Sequence, residues 1–187
     1  MKTIKKAAMF GLDARIALAI FGALSVISGA ALYSAIKQAK VIALVNQMHE
    51  ISKAYEAFYL DTGTHLTKSG NSLTSTGLFS SNLNGWNGPY LSLEENDPYF
   101  KYYDGDNHFV VWETDEWGSG SPSADIECDA GEECSIWLSA YYIDRELAEG
   151  VDSYIDGNSD HDNGNVRLFG TGAKPHIWLK VMPWPNN

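Results

Sequence analysis

The residues best suited to chemistry lie towards the C-terminal end. Asp156, Asn158, Asp160 and Asp162 alternate through the run DGNSDHDNG. Alternating oxygen donors in a tight turn are how a calcium loop gathers its ligands. The EF-hand pattern is not met, because His161 replaces its central Gly and no Glu stands at the twelfth position. A solvated acidic turn joining Ile155 to Val166 is the plain alternative. Cys128 and Cys134 flank a second short segment, DAGEE. A disulfide there would close a small loop and contribute about 2 kcal/mol in the chain-entropy model. Half of a metal site is the other reading, although neither a neighbouring His nor a second Cys pair completes it.

No catalytic constellation emerges, and the chain reads as a non-enzyme. His49, His65, His108, His161 and His176 are scattered and form no H-E-x-x-H or H-x-H pair. There is no G-x-S-x-G and no Gly-rich phosphate loop. With 24 acidic residues, pairs of carboxylates arise by number alone. Among the tryptophans, Trp112, Trp137 and Trp178 fall in strand-like runs and read as core. Trp117 and Trp184 read as exposed contacts, with sugar binding the function they would suggest.

The charge is divided along the chain. Residues 1–40 carry six basic residues against Asp13 alone, whereas 41–187 carry seven basic and 23 acidic residues. Nucleic acid is therefore a poor partner, since a phosphate-binding surface needs clustered Lys and Arg. Between Arg15 and Lys37 run 21 uncharged residues, Ile16 to Ile36. At about 1.5 Å per residue they span roughly 31 Å as a helix, the thickness of a bilayer's hydrocarbon core. A buried soluble helix or a secretory signal would seldom need so long a run. Lys2, Lys5 and Lys6 hold the N-terminus on the cytoplasmic side and send the acidic remainder across the membrane.

The helical pattern continues past the membrane edge. Val41, Leu44, Val45, Met48, Ile51, Tyr55, Phe58 and Tyr59 recur at steps of three and four, and Gly63 is the first breaker. One helix from about residue 13 to 60 follows, roughly 70 Å long. Its second half needs a surface to lie on.

This arrangement resembles type IV pilins and type II secretion pseudopilins, and in particular the major pseudopilins. The likeness rests on the short basic leader MKTIKKAAMFG, the helix end KAYEAFYLDTG, the run NGWNGPY (84–90), similar to W-x-GPY, and NDPYFKY (96–102), similar to DPWG-x-x-Y. It covers residues 1–63 and extends to about 103. The resemblance implies cleavage by a prepilin peptidase between Gly11 and Leu12, on the cytoplasmic side. It implies an inner-membrane subunit that docks on an assembly platform and polymerises with itself and other pilin-like subunits. The filament would be periplasmic or extracellular, and its assembly driven by a cytoplasmic ATPase. Several pseudopilins carry calcium in a C-terminal loop, which favours the ion for the acidic turn. The family's Glu at the fifth mature position is Ile16 here. Asp13 and Arg15 are the charges left to make the assembly contact, and the missing Glu introduces a tip or minor subunit as an alternative. A single-span anchored ectodomain that binds a ligand without polymerising is another.

The expected fold is α+β: a long N-terminal helix, transmembrane in its first half, packed on a small antiparallel sheet. The divisions are a leader (1–11), the helix (12–62, apolar over 16–36) and a globular domain (63–187). Residues 64–83 read as loop. Strands are expected at His108–Thr114, Cys134–Ile143, Val166–Phe169 and His176–Met182. A helix over Asp144–Ile155 would place Leu147, Val151 and Ile155 on one face.

Overall fold

The computed structural model describes residues 4–69, 72–92, 95–96, 99–101, 108–114, 134–158 and 160–184. Helix α1 runs from Ile4 to Thr62. It begins earlier than its apolar run because nothing in KKAAMFGLDA breaks a helix. It stops where Gly63 adopts a left-handed conformation (φ 66°) and donates its amide to the Tyr59 carbonyl. The chain divides into two compact units at Lys40–Val41, so the second half of α1 belongs with the sheet.

That sheet is antiparallel throughout. Its strands are β1 (Lys68–Ser69), β2 (Ser72–Leu73), β3 (Glu95–Asn96), β4 (Tyr99–Lys101), β5 (His108–Thr114), β6 (Ser135–Ala140), β7 (Val166–Phe169) and β8 (His176–Pro183). The main order is β1-β2-β5-β6-β8-β7, and β4 pairs with both β3 and β5. Helix α3 (Arg145–Asp156) connects β6 to β7. Strands β5 and β7 match their expected ranges end to end, and β6, β8 and α3 differ from theirs by at most three residues.

Period-two alternation decides which residues meet the helix. Phe109 and Val111 of β5, Ile136, Leu138 and Ala140 of β6, Val166 and Leu168 of β7, and Ile177 and Leu179 of β8 share one core. Leu44, Val45, Met48, Ile51, Tyr55 and Phe58 of α1 join it from above, with Ala148 and Val151 of α3. Gly150 brings α3 close to α1, since a Cβ there would run into the side chain of Val41.

The stretch from 64 to 83 is more ordered than a loop. It contains the β1–β2 pair and a single turn of helix, α2 (Thr76–Phe79), which buries Leu78. Its polar composition hides this, because main-chain pairing and three buried leucines, Leu66, Leu73 and Leu78, hold it.

Candidate functional site

The first unit presents an apolar cylinder. Leu18, Ile20, Phe21, Leu24, Val26 and Ile27 point in every direction around the helix axis, and the large apolar residues from Leu12 to Ile36 are 48–73% exposed. By contrast Leu44, Met48 and Ile51 are 0% exposed. This is one helix long and apolar enough to cross a membrane. Asp13 and Arg15 lie exposed near its start. Gly11 is also helical and exposed, and a Cβ there would meet nothing within 4 Å. Packing therefore does not demand glycine at that position.

The NGWNGPY run lies against the other end of α1. Trp86 donates its indole N–H to the Gly77 carbonyl (2.8 Å), and the Tyr90 hydroxyl donates to the Asp61 carboxylate (2.8 Å). The Asn87 amide donates to the same hydroxyl (2.9 Å). Gly85 lies against the Asp61 carbonyl, with no room for a side chain. The run thus clasps the last turn of the helix. The NDPYFKY motif lies partly outside the described residues, as do Cys128 and Trp117. Cys134 is buried at the start of β6, and its carbonyl accepts the Trp184 amide.

Trp184 is not a free contact. It stacks on His65 at 3.7 Å between ring centroids, and Tyr59 stacks on the same imidazole at 4.5 Å. The Tyr55 hydroxyl is hydrogen-bonded to His65 Nδ1 (2.6 Å). This packing ties the end of β8 to α1. Burial pushes the His65 pKa down to about 4. The folded state then binds fewer protons than the unfolded chain, whose histidine titrates near 6.5. The contribution of neutral His65 is complete above about pH 6.5 and is lost as pH falls towards 4. Urea midpoints are expected to drop across that window, and His65→Phe to flatten the drop. An unchanged slope in the variant would assign the acid sensitivity elsewhere.

Of the other tryptophans, Trp137 and Trp178 are buried and Trp112 is half-buried. They alternate with the core residues and so occupy the second face of the sheet. Trp112 donates to Ser139 Oγ (2.8 Å), and the Arg167 guanidinium lies over the Trp137 ring at 5.1 Å.

The acidic turn is folded around its own carboxylates. Asp156 Oδ1 accepts the main-chain and side-chain amides of Asn165 (3.2 and 3.1 Å), and Oδ2 accepts the Val166 amide (2.7 Å). Asn158 Oδ1 accepts the Asp160 amide (2.8 Å), and Asp160 Oδ1 the Asp162 amide (3.3 Å). Asp156 therefore clamps the end of α3 to the start of β7. Among the described residues no three His, Cys, Asp or Glu side chains are gathered to hold a metal ion. The turn's side-chain oxygens are the carboxylates of Asp156, Asp160 and Asp162 and the amide of Asn158.

A further residue of this region went unnoticed in the sequence. Asp152 lies one turn before Asp156 on α3, among Ala148 and Val151, and is 0% exposed. Burial, then the neighbouring Asp156 charge, push its pKa up to about 6. An acid at a core position of an amphipathic helix was the available signal.

Comparison with known protein families, curated proteins and solved structures found no match.

Proposed function

We propose that the protein is a structural subunit of a type IV pilus-like or type II secretion pseudopilus filament. The observation that carries this reading is the contrast within α1. Residues 16–36 are uncharged and exposed on every side, whereas Leu44, Val45, Met48, Ile51, Tyr55 and Phe58 form a stripe buried in the core of the sheet domain. A helix greasy all round is stable only in lipid or among equally apolar neighbours. A bundle of identical helices supplies the second environment once the first is left. The basic leader and the GPY clasp at the helix end support the same reading. In it the N-terminus is cytoplasmic, the sheet domain lies across the membrane, and Asp13 with Arg15 makes the contact that Glu makes elsewhere. Partners are copies of this chain, other pilin-like subunits, the prepilin peptidase and the inner-membrane platform.

The deciding measurement is the mass of the protein recovered from the native membrane. A mature chain beginning at Leu12 supports the filament subunit. An intact Met1 refutes it and leaves a single-span anchor. The same material tests the disulfide. Non-reducing peptide mapping is expected to find Cys128 joined to Cys134, and free thiols at both would reopen the metal reading of that loop.

A further inference from the structure

Four aromatic side chains form a row across one end of the sheet. They are His108 at the start of β5, Tyr141 just beyond β6, His176 at the start of β8 and Phe169 at the end of β7. They alternate with Phe109, Ala140, Ile177 and Leu168 of the core, so they lie on the second face of the sheet. His108 stacks on Tyr141 at 4.7 Å between centroids, Tyr141 lies 4.3 Å from His176, and His176 stacks on Phe169 at 5.9 Å. Tyr142 stands across the row, inclined at 66° to His108 and 73° to His176, and is 49% exposed. It is the one non-glycine among the described residues with a positive φ, 58°. Its main-chain amide donates to His176 Nδ1 (3.3 Å). That bond requires a neutral imidazole with its proton on Nε2, because a protonated ring has no acceptor.

We propose that His176 is an acid-sensitive latch: the neutral ring holds Tyr142 in its left-handed conformation, and protonation releases it. The strain of a left-handed φ in a bulky residue and the net gain from one hydrogen bond are similar in size and opposite in sign. Loss of the acceptor therefore tips Tyr142 towards an ordinary φ and swings its ring off the row. The neighbouring elements pack Phe169, Tyr141, Tyr142 and His108 around His176, and among the described residues His108 is the charge that acts on it. Burial first, and then His108, hold the His176 pKa below the ordinary 6.5. The folded state then binds fewer protons than the unfolded chain. The latch is closed above about pH 6.5 and opens as pH falls through the lower, folded value. Of the charges near it in the chain, Arg145 is held by the Gly170 and Gly172 carbonyls and by Glu149, and Asp144 and Lys174 are exposed. On either side the main chain stays fastened. Tyr141 donates to the His108 carbonyl (3.0 Å), Ile143 to that of Pro175 (3.1 Å) and Arg145 to that of Ala173 (2.9 Å). Release is therefore confined to Tyr142, and the sheet stays intact.

The test uses the full chain in detergent micelles, labelled with nitrogen-15 tyrosine. Amide hydrogen exchange is followed by NMR from about pH 7.5 to about pH 4 and corrected for its intrinsic pH dependence. Protection of the Tyr142 amide is expected to fall about tenfold across that range. The Tyr141 amide, bonded to the His108 carbonyl, is expected to keep its protection, which separates release of the latch from acid unfolding of the whole domain. His176→Phe keeps a ring in the row but removes the acceptor. In it the Tyr142 amide should exchange freely already at neutral pH and show no further dependence on acid. His108→Gln removes the opposing charge and should move the midpoint of the wild-type transition to higher pH. Undiminished Tyr142 protection down to about pH 4 would overturn the inference. So would an acid loss of wild-type size in His176→Phe, because the sensing group would then lie elsewhere. A midpoint unmoved or lowered in His108→Gln would overturn it as well.

Discussion

Gly11→Val is expected to leave the precursor uncut, with Met1 retained and no filament formed. The position is exposed, and a Cβ meets nothing within 4 Å, so the substitution does not disturb the folded chain. Valine is a better helix former than glycine, so the helix is not weakened either. On the proposed reading, any loss then comes from recognition by a prepilin peptidase, which must accept the residue before the cut. The contrast between normal insertion and absent processing makes the experiment clean. Mass measurement of membrane fractions reads the cleavage, and electron microscopy reads the filaments. Normal maturation of the variant would remove the main support for a pilin-like subunit.

Phe58→Ala is expected to lower the unfolding free energy by roughly 3–5 kcal/mol, the usual cost of emptying a large aromatic site. That is a large share of the 5–15 kcal/mol by which domains of this size are stable. Phe58 is 1% exposed and packs edge-on against Tyr90 at 6.1 Å between ring centroids. It also borders Gly77 at α2. The cavity would therefore loosen the GPY clasp as well as the core. Two residues further on, Leu60 is 80% exposed, and Leu60→Ala should change stability by no more than about 0.5 kcal/mol. Urea unfolding followed by tryptophan fluorescence distinguishes the two. Similar midpoints for both variants would mean that the second half of α1 does not carry the core.

The sequence by itself determined the parts of this protein that depend on local periodicity. Twenty-one uncharged residues dictate a helix that suits lipid, and steps of three and four from Val41 to Phe58 dictate a buried stripe. Runs such as HFVVWET and VRLF alternate at period two, so β5 and β7 were legible almost to the residue. The acidic turn was legible as a turn because Gly, Asn and Asp favour one. Tertiary structure decided what arises between distant segments. The ladder order β5-β6-β8-β7 places β8 inside β7, which no local pattern specifies. Residues 64–83 looked like loop because their order comes from pairing with β5 and from burying Leu78. Trp184 looked exposed because its partner, His65, is more than a hundred residues away. Asp152 passed as one more surface acid among 24, since burial is a property of the packed helix and not of the residue type. Local patterns record which face a residue shares with its neighbours along the chain. Only the packed chain sets which charges are removed from water, as it does for Asp152.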